Sequence, residues 1–566
     1  MKTIRQTVQE LHSQYQVIST IDLDYWAHGD YEANKQTLLD SVQAVYAPEY
    51  QNTQRMVFTH SHDVVVNHKS IVLSNLLLVL NELDISTFFV VIVSSDPDIA
   101  AHMADLHSLS QDPVQVTTIA AQDQHSVKTL ERLPYSKKEI YQYGSLNPIK
   151  VDLAQLSQRK QFLLAESKTF CMYPWIHLHA WPTGQAFPCC MSEPAGQIGN
   201  ARTQPLSEIW NSSAQRQLRV NMLTETPSAA CTRCYEQEQS GFFSGRLSAN
   251  KHHGHLVDRV DDTKPDGTVE RFEMTYWDIR FSNLCNLKCR SCGHIFSSQW
   301  YQDQARLAGP EWKSQNTVLN YAGRTEMDMW EQLEPHLDYV EQIYFAGGEP
   351  LLMEEHYRIL DELVKRKRFD VRLIYNTNFT HTDLKGQSVF KYWSQFHSVA
   401  VGASLDDSGA RGEYIRKGTR WDQVVQNRRD MLAQCPEVDF YISPTLSIMN
   451  ALHLPDFHCE WVEQGLIKPQ DLNVNILQDP AFYRIDIAPT EYKHAIAHRY
   501  QVHLDWLRTV GDPLGRATQG FESALTFLMA TDNTHLIDTF WRRTHELDSI
   551  RNEQLLTVIP ELKALA

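Results

Sequence analysis

The stretch Leu284-Cys285-Asn286-Leu287-Lys288-Cys289-Arg290-Ser291-Cys292-Gly293 decides how this chain is read. Its cysteines follow a C-x3-C-x2-C spacing. Three thiolates on one short loop can hold three irons of a cubane cluster, leaving the fourth iron without a protein ligand. An open coordination position separates a catalytic metal site from a closed structural one. A small molecule with an amine and a carboxylate can chelate such an iron. The rival reading is zinc, but zinc prefers four ligands in paired C-x2-C units, which a lone trio fits poorly.

The sequence around the loop predicts strand then helix, repeated. Strand candidates are Met274–Phe281, Gln342–Phe345, Val371–Tyr375, Ser398–Ser404, Asp439–Leu446 and Asp471–Leu477, with helices over Met353–Lys367 and Trp421–Ala433. Such β/α units in succession predict a barrel or partial barrel across 272–480, with its chemistry at the C-terminal strand edge. The cysteine loop follows the first strand and falls on that edge.

Composition agrees with a metal protein. Of 10 cysteines in 566 residues, those from Cys171 to Cys292 are clustered, and only Cys435 and Cys459 lie outside. In a reducing compartment, clustered cysteines signal metal or redox chemistry more often than disulfides. The formal net charge of −17 repels phosphate backbones and argues against nucleic acid as a partner. The N-terminus lacks a signal-peptide pattern. The apolar runs Ile71–Leu80 and Phe88–Val93 are too short to span a bilayer. A cytoplasmic protein with no membrane association is expected.

Residues 1–150 read as an N-terminal α/β domain of unassigned role. Its strands are Arg55–Thr59, Thr87–Val93 and Val114–Ala120, and its helices are His68–Leu83 and Asp96–Leu106. This alternation predicts a parallel sheet, without a glycine-rich phosphate loop. Residues 160–247 are rich in Cys, Gly and Pro, so a bound metal centre would supply stability that burial alone does not. Residues 249–271 read as a polar linker with His252, His253 and His255 in solvent. Residues 485–566 read as a C-terminal helical region, including Glu491–Val510 and Phe521–Leu528, that caps or packs on the rest.

The C-x3-C-x2-C trio resembles the signature of the radical S-adenosylmethionine (SAM) superfamily. Tyr344-Phe345-Ala346-Gly347-Gly348-Glu349-Pro350 resembles that family's Gly-Gly-Glu-Pro motif after the second strand. The resemblance implies an α/β fold with a partial (β/α)6 core. It implies that Cys285, Cys289 and Cys292 ligate a [4Fe–4S] cluster whose free iron binds SAM. One electron, from a flavodoxin or ferredoxin, then cleaves SAM to a 5′-deoxyadenosyl radical. That radical takes hydrogen from a peptide, sugar or small-metabolite substrate. By the same resemblance, Gly347, Gly348 and Glu349 offer close backbone approach and acceptors to the methionyl amine. Asn376, at the end of the third strand, is a further candidate for contact with SAM. Ser404 and Asp406, at the end of the fourth, would contact the ribose or methionyl group, although both also read as cap or turn residues. Asp407 follows them. The stretch 413–418 resembles a segment common in peptide- and sugar-modifying branches. There, Arg416 either pairs with a carboxylate or is a solvated surface arginine. Thr445, Ser447 and Asn450 stand where family members contact SAM. Ser291 departs from the family, which usually has an aromatic residue before the third cysteine. Holding adenine then falls to Phe296 or Trp300.

A second set of cysteines, Cys171, Cys189 and the pair Cys231-Thr232-Arg233-Cys234, resembles the first half of the SPASM region and its shorter form, the twitch domain. Gly196–Arg219 resembles the text between those cysteines. The resemblance implies one auxiliary [4Fe–4S] cluster on Cys171, Cys189, Cys231 and Cys234. A zinc ribbon on the same thiolates is the rival. Cys190 is either a spare thiol or a substitute for Cys189. Unusually, this region precedes the core. His177 and His179 either pack beside the auxiliary cluster or belong to an ordinary half-buried strand. His60 and His62 read as a polar loop at a sheet edge rather than metal ligands. Two further readings stay open: a metal-stabilised scaffold or electron carrier, and a radical SAM methyltransferase or nucleic-acid modifier.

Overall fold

The computed structural model describes residues 151–565, apart from 152, 240–243, 326–327 and 513–514, together with four N-terminal strands. The chain forms two compact units, Met1–Pro148 with Gln395–Ser398, and Ile149–Ser394 with Val399–Ala566.

In the first unit, β1 (Val17–Asp22), β2 (Arg55–Ser61), β3 (Phe88–Ser94) and β4 (Gln115–Ile119) pair in that order, all parallel. Parallel neighbours need crossover connections, as the sequence pattern of strands alternating with helices predicts. β1 is a strand that the reading above does not contain. The predicted helices at 68–83 and 96–106 lie outside the described residues, as does His62, while His60 is in β2.

The second unit is built on one mostly parallel sheet. Its strands are β5 (His177–Ala180), β6 (Gln185–Phe187), β7 (Gly199–Asn200), β8 (Tyr276–Ile279), β9 (Gln342–Phe345), β10 (Arg372–Thr377), and, past a short hairpin of β11 (Asp383–Leu384) and β12 (Gln387–Ser388), β13 (Val399–Ala403) and β14 (Asp439–Ile442). Their order is β14-β13-β10-β9-β8-β5-β6-β7. From β14 to β5 every pairing is parallel. The predicted fifth strand is broken. Pro444, which has no N–H to give a ladder, separates β14 from β15 (Thr445–Leu446). β15 pairs with β16 (Asn475–Ile476), and an Ile442–Leu472 bridge carries the contact across the break.

Period-two burial places the functional face. In β10, Leu373, Tyr375 and Thr377 are buried, and the His356 ring of the helix Glu354–Lys365 meets Tyr375 and Phe345. Arg372, Ile374 and Asn376 are partly open on the other face.

The cysteine-rich segment shares this sheet and its core. β5 lies parallel to β8, with His177 opposite Tyr276 and His179 opposite Asp278. Phe170, Met172, Trp175 and Ile176 pack with Leu218, Met222, Ala249, Val257, Val260 and Val269. Residues 249–271 are therefore no linker. The helix Gly245–His253 runs into a 3-10 stretch, Gly254–Asp262, whose apolar residues are spaced to face that core. The last residues form helices Thr490–Val510, Arg516–Ala530 and Ile537–Arg551. Among the described residues, no helix is long and apolar enough to cross a membrane.

Candidate functional site

The loop after β8 brings its three cysteines together. Cys285 and Cys289 are buried, and Cys292 is partly so. The loop's own backbone is tied down by neighbours. Lys288 and Arg290 donate their N–H groups to the carbonyls of Lys417 (2.9 Å) and Ile415 (2.8 Å). The Trp300 indole donates to the Cys289 carbonyl at 2.8 Å, and the Ser298 hydroxyl to the Cys285 carbonyl at 3.2 Å. With the backbone engaged, the sulfurs receive donors of their own. These come from the Leu287 N–H (3.4 Å) and the Asn378 amide (3.9 Å) to Cys285, and from the Arg416 guanidinium to Cys289 (3.7 Å). Burial pushes all three thiols up, Cys292 to about 12. Burial thus favours the neutral thiol at this loop, against which Arg416 works at Cys289.

The 347–350 turn sits on this loop. Gly348 has φ +51°, and a Cβ there would lie 2.3 Å from the Leu284 carbonyl oxygen. The next residue donates its N–H to the same oxygen at 2.7 Å. Gly347, at φ +83°, packs against the Arg280 side chain. The Glu349 carboxylate is fully engaged by the fold. It accepts from the Leu351 N–H (3.0 Å), the Thr377 hydroxyl (2.7 Å) and the Asn378 N–H (2.7 Å). Burial raises its carboxyl to about 7. Glu349 thus locks the end of β9 to the end of β10, and Asn378 carries that lock to Cys285. Asn376 is partly open on the functional face, its amide oxygen close to Gly402.

Beside the thiols lies a small pocket lined by Arg290, Ser291, Asp406, Ile415, Thr445, Ser447, Met449 and Tyr483. Asp406 is 1% exposed. One carboxylate oxygen accepts from Arg416 (2.8 Å) and from the Thr445 N–H (2.8 Å). The other, Oδ2, is buried and has no hydrogen-bond partner, as are Arg290 Nη1 and Arg416 Nε. Arg416 is therefore a half-buried, paired arginine and not a solvated one. Ser404 continues from β13 and donates its N–H to the Thr377 carbonyl at 2.7 Å. The Asn450 side-chain amide donates to the Asp406 backbone carbonyl at 2.8 Å. Asp407 points elsewhere, bonding His453 at 2.6 Å.

The two aromatic residues proposed for adenine lie in different surroundings. Trp300 is held by Cys289 on one side and the Arg551 guanidinium, 4.7 Å over its ring, on the other. Phe296 meets Trp181 near the surface. Tyr483 and Met449 line the cavity with Ser291. Tyr483 arrives because its carbonyl accepts from the Ile448 N–H at 2.9 Å, and no local pattern announces that contact.

Cys171, Cys189, Cys231 and Cys234 line a second, larger pocket with Tyr173, Met191 and Arg246. Cys231 and Cys234 come from the turn that starts the helix Thr232–Gln239. Cys190 is not in this wall and interacts with Asp278 and Arg280. Among the described residues, no three His, Cys, Asp or Glu side chains converge on a point that one ion would fill.

His177 and His179 are buried in β5. His177 stacks on Tyr276 (4.3 Å between ring centroids), and His179 approaches the Asp278 carboxylate at 3.1 Å. Burial works against the Asp278 charge, but Arg280 and His179 overcome it and hold the carboxyl low. His253 also stacks on Tyr276, and His255 pairs with Glu341 at 2.8 Å. Neither is in free solvent.

One family model matches the chain. Residues 171–235 match SPASM, an iron–sulfur cluster-binding domain. The SPASM match begins at Cys171 and extends just past Cys234, so it spans all four thiols of the larger cavity. Solved structures also match in part. Native anSMEcpe with bound AdoMet and Kp18Cys peptide is 19% identical, with a TM-score of 0.29, over 41% of this chain and 60% of that one. A polyhistidine-tagged form of anSMEcpe with bound AdoMet is 21% identical, with a TM-score of 0.30, over the same shares. The match thus spans about three fifths of those chains. No curated protein matches this sequence.

Proposed function

We propose that the chain is a radical SAM enzyme carrying one auxiliary [4Fe–4S] cluster in its SPASM-type segment. One observation carries the reading. Three thiols of a single loop group at the C-terminal edge of the first core strand, next to a pocket where Asp406 Oδ2 and Arg290 Nη1 are buried without a hydrogen-bond partner. These features fit the group. Cys285, Cys289 and Cys292 would hold three irons and leave one open. Gly347 and Gly348 would give close backbone approach. Asn376, Ser404 and Asp406 would accept from hydroxyl or amine groups, and Arg416 would meet a carboxylate. When bound, the cluster and SAM supply one-electron cleavage to a 5′-deoxyadenosyl radical. The chain's own residues position that chemistry. Arg416 balances sulfur charge at Cys289, while Glu349 and Asn378 fix the loop.

The core sheet is read as a partial (β/α)6 barrel with a twitch-like domain at its first strand. Cys171, Cys189, Cys231 and Cys234 close the auxiliary site, and a space ringed by four thiols suits a cluster better than one ion. A peptide or small polar metabolite is the proposed substrate, with flavodoxin or ferredoxin as donor in the cytoplasm.

Oxygen-free purification tests this. The expected protein carries about eight irons, two cubanes' worth, and releases 5′-deoxyadenosine from SAM under strong reductant. Replacing Cys285, Cys289 and Cys292 with Ala should keep the auxiliary cluster and abolish release. Continued SAM cleavage by that variant would show the roles to be wrongly assigned.

A further inference from the structure

We infer that the C-terminal helix Ile537–Arg551 and the turn after it position the cysteine loop, with Asp548 as the positioning residue. The inference rests on the assignment of a SAM-binding cluster to that loop.

Lys288 and Arg290 alternate with the cysteines, so their side chains leave the loop between ligands. The Arg290 side chain is 1% exposed, and its guanidinium carbon lies over the Tyr414 ring, 3.8 Å from its centroid. Its guanidinium donates to Asp548 and, at 2.7 Å, to Glu553. Asp548 also accepts from the Tyr414 hydroxyl (2.8 Å) and the Leu555 N–H (2.8 Å). Glu553 takes Lys417 at 2.8 Å, next to the carbonyl that holds Lys288. A second tie runs from Arg551 to Asp303 (2.8 Å), which also holds Lys288 (3.1 Å). Arg551 covers the Trp300 ring that bonds Cys289.

The physical consequence follows from burial. A guanidinium taken out of water must be paired, or it will move to find water. Arg290 belongs to the backbone that carries Cys289 and Cys292, so any such movement displaces two ligands. Arg290 also lines the Asp406 cavity, with Nη1 unpartnered. Asp548 therefore fixes one wall of the proposed SAM pocket without touching it.

The test uses full-length Asp548→Asn, purified without oxygen. Iron per chain and the low-temperature EPR spectrum of the reduced protein are measured with and without SAM. Iron is expected to fall from about eight toward about four, with the SAM-sensitive signal lost or shifted and the auxiliary signal kept. Tyr414→Phe, which removes one donor to Asp548, should shift the SAM-sensitive signal at full iron content. Glu561→Gln weakens a different C-terminal tie, to Arg411, and should leave both signals unchanged. An Asp548→Asn spectrum identical to wild type would overturn the inference. So would loss of both clusters in that variant combined with an unshifted Tyr414→Phe signal. A wild-type protein with no SAM-sensitive signal would instead overturn the proposed function.

Discussion

Gly348→Ala probes how closely the 347–350 turn approaches the cysteine loop. The substitution has two separable costs. A φ of +51° is left-handed backbone, which costs an L-residue about 1–2 kcal/mol. The new Cβ would also lie 2.3 Å from the Leu284 carbonyl oxygen and 2.8 Å from the Met353 methyl. The methyl can swing aside, but the carbonyl is pinned by the Glu349 N–H. Relief means overpacking of about 1–3 kcal/mol and loss of a hydrogen bond of about 1 kcal/mol. The sum is about 3–6 kcal/mol, a large part of a typical folding stability. Gly409 isolates the first cost. Its φ is +54°, in the same compact unit, and nothing lies within 4 Å of its Cβ position. Gly409→Ala should lose only about 1–2 kcal/mol. Urea unfolding of wild type and both variants, followed by tryptophan fluorescence, measures the difference. Gly348→Ala should also lose iron from the loop, because Leu284 adjoins Cys285. Equal destabilisation of the two variants would refute the close approach.

Two further outcomes are expected. Burial raises the Glu349 carboxyl from 4.5 to about 7, so the neutral acid is favoured in the fold. That contribution is full below pH 4.5 and is lost as pH rises through about 7, amounting to about 3 kcal/mol. Glu349→Gln cannot ionise, so wild-type stability should fall relative to the variant between pH 5 and 8, and parallel profiles would contradict this. Cys189→Ala should halve the iron content while Cys190→Ala leaves it intact. The reverse pattern would reassign the fourth auxiliary ligand.

Much of the core was legible because its signals are local. Strand β9 has the predicted limits, and the helix Trp421–Gln434 is one residue longer than its prediction. Each depends on apolar periodicity within its own few residues. The 249–271 segment was misread because its core-facing residues are sparse among polar ones. Its burial depends on Trp175 and Met222, far away in sequence. Arg416 was undecided from sequence because its partner Asp406 and neighbour Cys289 come from other loops. The motif placed Glu349 near SAM; that its oxygens bond Leu351, Thr377 and Asn378 was not legible, because two of those partners stand at the end of the next strand.

The sequence by itself determined which residues can bear the chemistry. Thiol spacing along a loop is set by covalent geometry, and the positions of strands along the chain by short apolar runs. Tertiary structure alone decided what supports them. β5 joins the core sheet through a partner 99 residues away, and Arg290 meets Asp548 across 258 residues. Such contacts form because a buried charge or an unpaired strand edge must find a partner. The chain leaves that choice to folding, where distance in sequence no longer matters.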